Sequence, residues 1–182
     1  TLDPSNRVSG DANAISLGEV LFSDPMLSHD RTMSCASCHL PERDFTDGLT
    51  RAAGRKTLDR NTQALWNLAG QRWFGWSGNS DSLWAQNLMP LLNPAELGHY
   101  PQSMQSALFA SAHRPAYETL FGEIDAEPAL ESTVNVSKVL AAYIETLRSG
   151  KTSFDHFRDA LENGDTQMAA QYPESAQRGL QI

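Results

Sequence analysis

The sequence predicts a mainly α-helical fold with long loops. Apolar residues recur at helical spacing, most clearly over 136–147. No run of alternating apolar and polar residues is long enough to indicate a strand. The chain has 182 residues, of which 40% are hydrophobic, and this is enough for one domain with a core.

The helices can be placed from their apolar faces and their stop signals. The first is predicted over Ala14–Phe22, and Pro25 ends it. Loops dominate from Ser23 to Arg60, where proline and glycine recur. Further helices are predicted over Asp81–Leu88, ended by Pro90; over Ser103–Ala112, with Pro115 beyond it; over Val136–Leu147, with Gly150 as the C-cap; and over Ser153–Leu161.

The end of the chain looks like a helix that is just beginning. We therefore expect one domain over 1–172. We interpret 173–182 as the start of a linker or helix that leads to a further domain absent from this chain.

Both cysteines lie in the unit Cys35-Ala36-Ser37-Cys38-His39. The spacing C-x-x-C-H is typical of covalent attachment of a c-type haem, with a thioether from each thiol and the adjacent imidazole on the iron. A redox dithiol and a zinc site are the alternatives. The first is expected beside a βαβ pattern and the second needs four ligands, and we find neither, so we predict one haem c bound by Cys35, Cys38 and His39.

Further short motifs follow one another along nearly the whole chain. Each is weakly specific alone, but their order and spacing together are specific. They are Leu17–Pro25, Leu27-Ser28, Ser34–His39, Phe45–Gly48, Arg60-Asn61, Trp76–Gly78, Gln86, Pro90, Asn93–Glu96, Ser149-Gly150, Ser153–Asp155 and Gln177–Leu180. In this series the chain resembles the N-terminal, peroxidatic haem domain of the bacterial di-haem cytochrome c peroxidase and MauG family.

The resemblance implies a cytochrome c-like domain that is half of a two-domain, di-haem protein. It implies that Trp76 relays electrons to or from a second haem in the missing domain. It also implies that Gln86, Pro90 and Glu96 form the peroxide-binding side. The chemistry agrees for Glu96, because a carboxylate can accept and return a proton of peroxide. The alternatives are a solvated acid for Glu96, a surface amide for Gln86 and a core indole for Trp76.

Two other positions are interpreted through the resemblance. Asn61 matches a family position that binds calcium between the domains, although calcium takes six to eight oxygens and an asparagine in a turn is the alternative. Many of these peroxidases carry a histidine, as a removable sixth iron ligand, where this chain has Ala53. Its absence, shared with MauG-like members, predicts a haem open to peroxide without prior reduction. His99 is a rival sixth ligand.

Three functions are open at this point. The first is a peroxidase that reduces hydrogen peroxide through a high-valent ferryl haem, with electrons from a second haem and a small cytochrome c or cupredoxin as donor. The second is a MauG-like enzyme that oxidises tryptophan or other residues of a partner protein, favoured by Ala53 and by the turn Gly75-Trp76-Ser77-Gly78. The third is a simple electron-transfer cytochrome c, with Met89 as the favoured thioether ligand.

Charge and hydropathy exclude some partners. A net charge of -8 argues against nucleic acid, which needs a basic face. No apolar run is long enough to span a membrane. Because bacteria attach this haem outside the cytoplasm, we expect an exported protein with its signal peptide removed, in the periplasm or at the cell surface.

Overall fold

The computed structural model describes residues 3–181 and contains eight α-helices within that range. It divides into two compact units, one ending at Arg148 and the other beginning at Ser149. The helices of the first unit are α1 (Ala12–Ser23), α2 (Leu83–Leu92), α3 (Pro101–Phe109), α4 (Arg114–Phe121) and α5 (Ala129–Ile144). Those of the second are α6 (Ser153–Glu162), α7 (Thr166–Ala169) and α8 (Glu174–Gly179).

Helix α5 is the centre of the first unit. It packs against α1, α2 and α3, and its side chains Val136, Val139 and Leu140 are almost fully buried. Gly18 of α1 allows the closest approach, because a Cβ there would overlap the carbonyl oxygen of Val139 and lie 2.8 Å from the Cβ of Tyr143. A glycine in the middle of a helix thus serves helix packing.

The mainly α prediction is confirmed, but several predicted boundaries were wrong. Helix α2 continues to Leu92 through Pro90, because a proline in the last turn removes only one intrahelical hydrogen bond. The amide of Asn93 still bonds to the carbonyl of Met89 at 3.0 Å. Pro115 does not end a helix. It lies in the first turn of α4, where proline is tolerated, and this helix was not predicted.

The limits predicted for α3 and α5 were also wrong. Helix α3 begins at Pro101 and ends at Phe109. Helix α5 begins at Ala129, well before the predicted Val136. The prediction missed its first turns because they bury polar side chains, among them Ser132, Thr133 and Asn135, that mask the apolar period. The helix ends at Ile144, so Gly150 is not its C-cap.

Loops occupy most of residues 24–82, and the prediction of loops from Ser23 to Arg60 covers the first part of this region. Within the described residues the chain forms only isolated antiparallel bridges there and no extended strand. Two of these bridges, Ala53 with Thr57 and Phe74 with Ser80, close small loops that carry candidate site residues. In the part of the chain that is described, no helix is long and apolar enough to cross a bilayer.

The second unit has its own small core. Phe157, Ala160 and Ala169 are buried there, and the ring of Tyr172 stacks on that of Phe157 at 4.6 Å between centroids. Thr152 and Asp155 form a capping box that starts α6. The predicted boundary between 172 and 173 is not tested by this division and stays a prediction.

Candidate haem and peroxide site

The Cys-x-x-Cys-His unit is folded as one tight turn. Residues Cys35–Ser37 form a single turn of 3₁₀-helix that is capped reciprocally by Ser34 and Ser37. The amides of Cys38 and His39 both donate to the carbonyl of Cys35, at 3.2 and 2.9 Å. Cys35, Cys38 and His39 all line one cavity.

His39 is oriented for a metal. Its Nδ1 lies 3.0 Å from the carbonyl oxygen of Phe45. Because a carbonyl only accepts, Nδ1 carries the proton and Nε2 keeps its lone pair for iron. Burial lowers the pKa of the imidazole, although the carbonyls of Phe45 and Gln63 oppose that shift. The neutral form is the one that binds a metal.

The two thiols do not have the properties of a redox pair. Burial raises the pKa of the Cys35 thiol to about 12 and also raises the pKa of Cys38. Reactive Cys-x-x-Cys pairs need a lowered thiol pKa. In residues 3–181 no group of three His, Cys, Asp or Glu side chains is placed to hold a metal ion. Thioether attachment is the chemistry that fits.

The cavity beside the turn has a volume of about 80 Å³. Its wall is mainly apolar and comes from several elements, including Phe22 of α1, Leu91 of α2, and Leu140 and Ile144 of α5. An apolar cavity with two thiols and an imidazole in its wall has the groups that attach and bind a porphyrin. The residues present are therefore compatible with one covalently bound haem c.

Glu96 lines the same cavity. Asn93 holds it, because the side-chain Nδ2 donates to Glu96 Oε1 at 2.8 Å while Oδ1 accepts from the amide of Ala95 at 3.0 Å. Burial raises the pKa of the Glu96 carboxyl, and the hydrogen bond from Asn93 opposes that rise. The result is a half-buried carboxyl with a raised pKa in a cavity, which is typical of general acid–base residues.

Helix α2 brings Pro90 to the cavity but turns Gln86 elsewhere. Pro90, Asn87 and Leu91 line the wall. The Oε1 of Gln86 accepts from Ser80 Oγ at 3.1 Å, and a Cβ added at Gly75 would lie 2.6 Å from it. Gln86 thus contacts the small hairpin 74–80. Asn87, not Gln86, is the side-chain amide of α2 that lines the cavity with Pro90. A direct role of Gln86 in the peroxide pocket stays a prediction.

Trp76 and Asn61 are brought together on the surface. The indole Nε1 donates to the carbonyl oxygen of Asn61 at 2.8 Å, and 51% of the Trp76 surface is exposed. Asn61 is exposed as well, with its amide 3.5 Å from the carbonyl of Thr62. A calcium ion bound by Asn61 therefore stays a prediction, and further oxygen ligands would have to join it.

The rival iron ligands, His99 and Met89, do not line the cavity as described over residues 3–181. Nε2 of His99 lies 3.1 Å from the carbonyl oxygen of Met26 and Nδ1 lies 2.9 Å from Ser103 Oγ. Both ring nitrogens are thus engaged. The Met89 side chain is 63% exposed, so a direct bond to a haem iron in the cavity would need it to move.

Residues that sequence reasoning did not single out also shape the site. Asp47 is buried, with 7% of its surface exposed, and its carboxylate accepts from the amides of Leu49 at 3.1 Å and Ala53 at 3.3 Å. It thereby holds the loop that places Gly54 in the cavity wall. The motif Phe45–Gly48 was noticed only as a resemblance, although a Phe-Thr-Asp-Gly turn after the haem unit is a usable signal.

Comparisons with known proteins show the family to which the chain is related. A profile of the family described as di-haem cytochrome c peroxidase matches residues 12–163. The methylamine utilization protein MauG of Methylorubrum extorquens is 37% identical over 145 residues, which cover 79% of this chain and 40% of that protein. The cytochrome c peroxidase Ccp of Escherichia coli is 29% identical over 162 residues, which cover 88% of this chain and 34% of that protein.

Solved structures share the fold. A MauG-like protein associated with microbial copper homeostasis superposes with a TM-score of 0.73 at 27% identity, covering 87% of this chain and 47% of that one. The di-haem peroxidase BthA of Burkholderia thailandensis superposes with a TM-score of 0.74 at 22% identity, which shows the fold alone. The chain thus spans about half the length, or less, of the relatives it matches.

Proposed function

Because this chain belongs to the di-haem cytochrome c peroxidase family, a family of oxidoreductases, we propose that it is the peroxide-binding haem domain of a two-haem peroxidase. One observation carries the proposal. The haem-attachment residues Cys35, Cys38 and His39 share a single, mostly apolar cavity with the carboxyl of Glu96.

The bound haem would supply the redox chemistry of peroxide cleavage. Cys35 and Cys38 would fix the macrocycle covalently. His39 would bind the iron through Nε2, and the carbonyl of Phe45 would hold the ring in that orientation. Pro90 would narrow the cavity without offering an N–H donor.

Glu96 would move the proton. Its carboxylate accepts a proton from hydrogen peroxide and delivers it to the departing oxygen, which leaves as water. Asn93 fixes one carboxyl oxygen, so the other is free to face the substrate. Two electrons and two further protons complete the reduction of one peroxide to two waters.

The electrons would enter through Trp76. An exposed indole held by a hydrogen bond to Asn61 is suited to contact a second haem domain. Such a domain is expected because the relatives are about twice as long as this chain. A small cytochrome c or cupredoxin is the proposed donor, and the periplasm or cell surface is the proposed location. Calcium at Asn61 would help to join the domains.

A second candidate is a MauG-like enzyme that oxidises a partner protein. Ala53 favours it, because its loop brings no histidine toward the cavity and leaves the iron open without prior reduction. The similarity to the methylamine utilization protein MauG of Methylorubrum extorquens points the same way. Tryptophan residues of the partner would be the substrate class.

Two measurements on the full-length, haem-loaded protein test these proposals. Stopped-flow mixing with hydrogen peroxide should change the haem absorption rapidly, and the absence of any change would refute both. Steady-state turnover with a reduced small cytochrome or cupredoxin then separates them. Fast turnover supports the peroxidase, whereas negligible turnover together with an oxidised partner protein supports the MauG-like enzyme.

A further inference from the structure

The turn that carries Glu96 is held at its base by helix α2. The amide of Leu97 donates to the carbonyl of Pro90 at 3.1 Å, and the amide of Glu96 donates to that of Asn93 at 2.9 Å. These bonds fix the two ends of the turn, which we define as residues 93–98. Neither bond involves the carbonyl of Ala95, the residue just before Glu96.

A second segment, residues 54–56, packs against that carbonyl. The amide of Lys56 donates to the Ala95 oxygen at 3.1 Å. Gly54 lies so close that a Cβ there would be 2.5 Å from the same oxygen. Gly54 also lines the cavity. Segment 54–56 therefore forms part of the wall and braces the residue that precedes the carboxyl.

Arg55 ties this segment to the rest of the site. Its Nε lies 2.9 Å from Asp30 Oδ2, with 30% of the arginine side chain exposed. Its guanidinium covers Gly98, where a Cβ would overlap Nη1 and where the φ of +70° favours glycine. The chain around Asp30 also reaches the turn, since the amide of His29 donates to the carbonyl of Leu97 at 2.8 Å.

We propose that Arg55 is a positioning residue for Glu96, and that its ion pair with Asp30 and its packing on Gly98 hold segment 54–56 against Ala95 and so fix the place of the carboxyl in the cavity. This inference rests on the proposed role of Glu96 as proton carrier. An isolated surface ion pair contributes little to stability. A displaced catalytic group, by contrast, can lower a rate on the order of a hundredfold.

The test uses the full-length, haem-loaded protein with Arg55→Gln and Asp30→Asn, which break the pair from opposite sides. Arg51→Gln is the matched control, because Arg51 pairs with Asp59 at 3.1 Å in the same loop. We expect both test variants to speed amide hydrogen exchange at Lys56 and Leu97. We also expect them to slow the reaction with hydrogen peroxide on the order of ten- to a hundredfold, with haem content and melting temperature close to the control. Arg55→Lys, which keeps the charge, should recover part of the rate.

Three results would overturn the inference, and the first two are unchanged exchange at Lys56 and Leu97 in both test variants, and faster exchange with an unchanged peroxide rate. A rate loss equal to that of Arg51→Gln would overturn it as well. Failure of the proposed function is distinguishable, because the wild-type protein would then not react with peroxide at all. In that case the exchange data alone decide whether Arg55 holds the turn.

Discussion

Two opposing effects act on the carboxyl of Glu96. Burial raises its pKa above the ordinary value of 4.5, and the hydrogen bond from Asn93 pulls the pKa down. Since Glu96 accepts a proton only when ionised, the rate constant for peroxide should fall as the pH drops through this raised pKa. It should be level at higher pH.

Asn93→Ala tests this balance. Removal of the donor leaves burial unopposed, so the pKa of Glu96 should rise further and the acid limb of the pH–rate profile should move to higher pH. Stopped-flow rate constants across the pH range measure the shift. An acid limb that stays in place, or moves to lower pH, would contradict the assignment of that limb to Glu96.

Glu96→Gln removes the proton acceptor and keeps the size of the side chain. We expect the rate of reaction with peroxide to fall about 10²- to 10⁴-fold, the usual contribution of a general base. Glu42→Gln, at an exposed acid near the haem-attachment turn, is the control and should react like the wild type. Haem content, measured from the pyridine haemochrome spectrum, should be the same in all three proteins.

The sequence predicted which residues of the candidate site lie together better than it predicted which way they face. The spacing predicted that Cys35, Cys38 and His39 lie together, and all three line one cavity; their bonds to a haem stay a prediction. The choice between Gln86 and Asn87 depends instead on the rotation of α2 about its axis. Asn87, Pro90 and Leu91 line the cavity at helical spacing. Gln86 therefore lies on the side of α2 that contacts the hairpin. Its partner Ser80 is six residues away in the sequence, and no period in the sequence predicts that contact.

At the scale of secondary-structure elements, the crossing of α1 and α5 shapes the cavity, because α1 supplies Phe22 and α5 supplies Leu140 and Ile144. Gly18→Ala should push these helices apart, since the new methyl would overlap the carbonyl of Val139. Helix propensity favours alanine by about 1 kcal/mol, but overpacking typically costs about 1–3 kcal/mol. We therefore expect a net loss in the free energy of urea-induced unfolding.

Gly70→Ala is the control for that experiment. Gly70 also lies in the first unit, its added Cβ would meet nothing within 4 Å, and its φ is not positive. Its free energy of unfolding should stay near the wild-type value. If Gly18→Ala proved as stable as Gly70→Ala, the tight α1–α5 contact would be refuted.

The helix errors have two physical causes. Proline was interpreted as a stop at Pro90 and Pro115, but its cost depends on position within the turn, and both lie near a helix end. The start of α5 was missed because buried polar side chains there have partners: tertiary hydrogen bonds compensate Ser132 and Asn135, and the Thr133 hydroxyl donates to the carbonyl of Ala129 within the helix. For example, Gln105 Nε2 donates to Ser132 Oγ at 3.1 Å. Such long-range compensation leaves no periodic signal in the sequence.

At the scale of the whole molecule, the haem-binding residues, Glu96 and Trp76 all lie in the first compact unit. The family profile nevertheless extends to residue 163, into the second unit. The relatives are about twice as long as this chain. Under the proposed function, a surface that is exposed here would face the second haem domain, and Trp76 is the exposed residue to which the proposal gives a task there.

Trp76→Phe in the full-length protein tests that task. Phenylalanine keeps an aromatic ring but loses the N–H that bonds to Asn61 and is much harder to oxidise. The initial reaction with peroxide should be unchanged, because Trp76 is not part of the cavity wall as described over residues 3–181. Steady-state turnover with a reduced donor should fall at least tenfold. This is roughly the size of effect that follows the loss of one well-positioned contact.

Trp73→Phe is the matched control, since Trp73 lies next to the same hairpin and is 59% exposed. It should leave both rates near the wild-type values. Equal losses in the two variants would indicate general damage to a protein surface, and full turnover in Trp76→Phe would exclude this indole from the electron path. A loss confined to turnover in Trp76→Phe separates electron delivery from peroxide cleavage, with Glu96 serving one step and Trp76 the other.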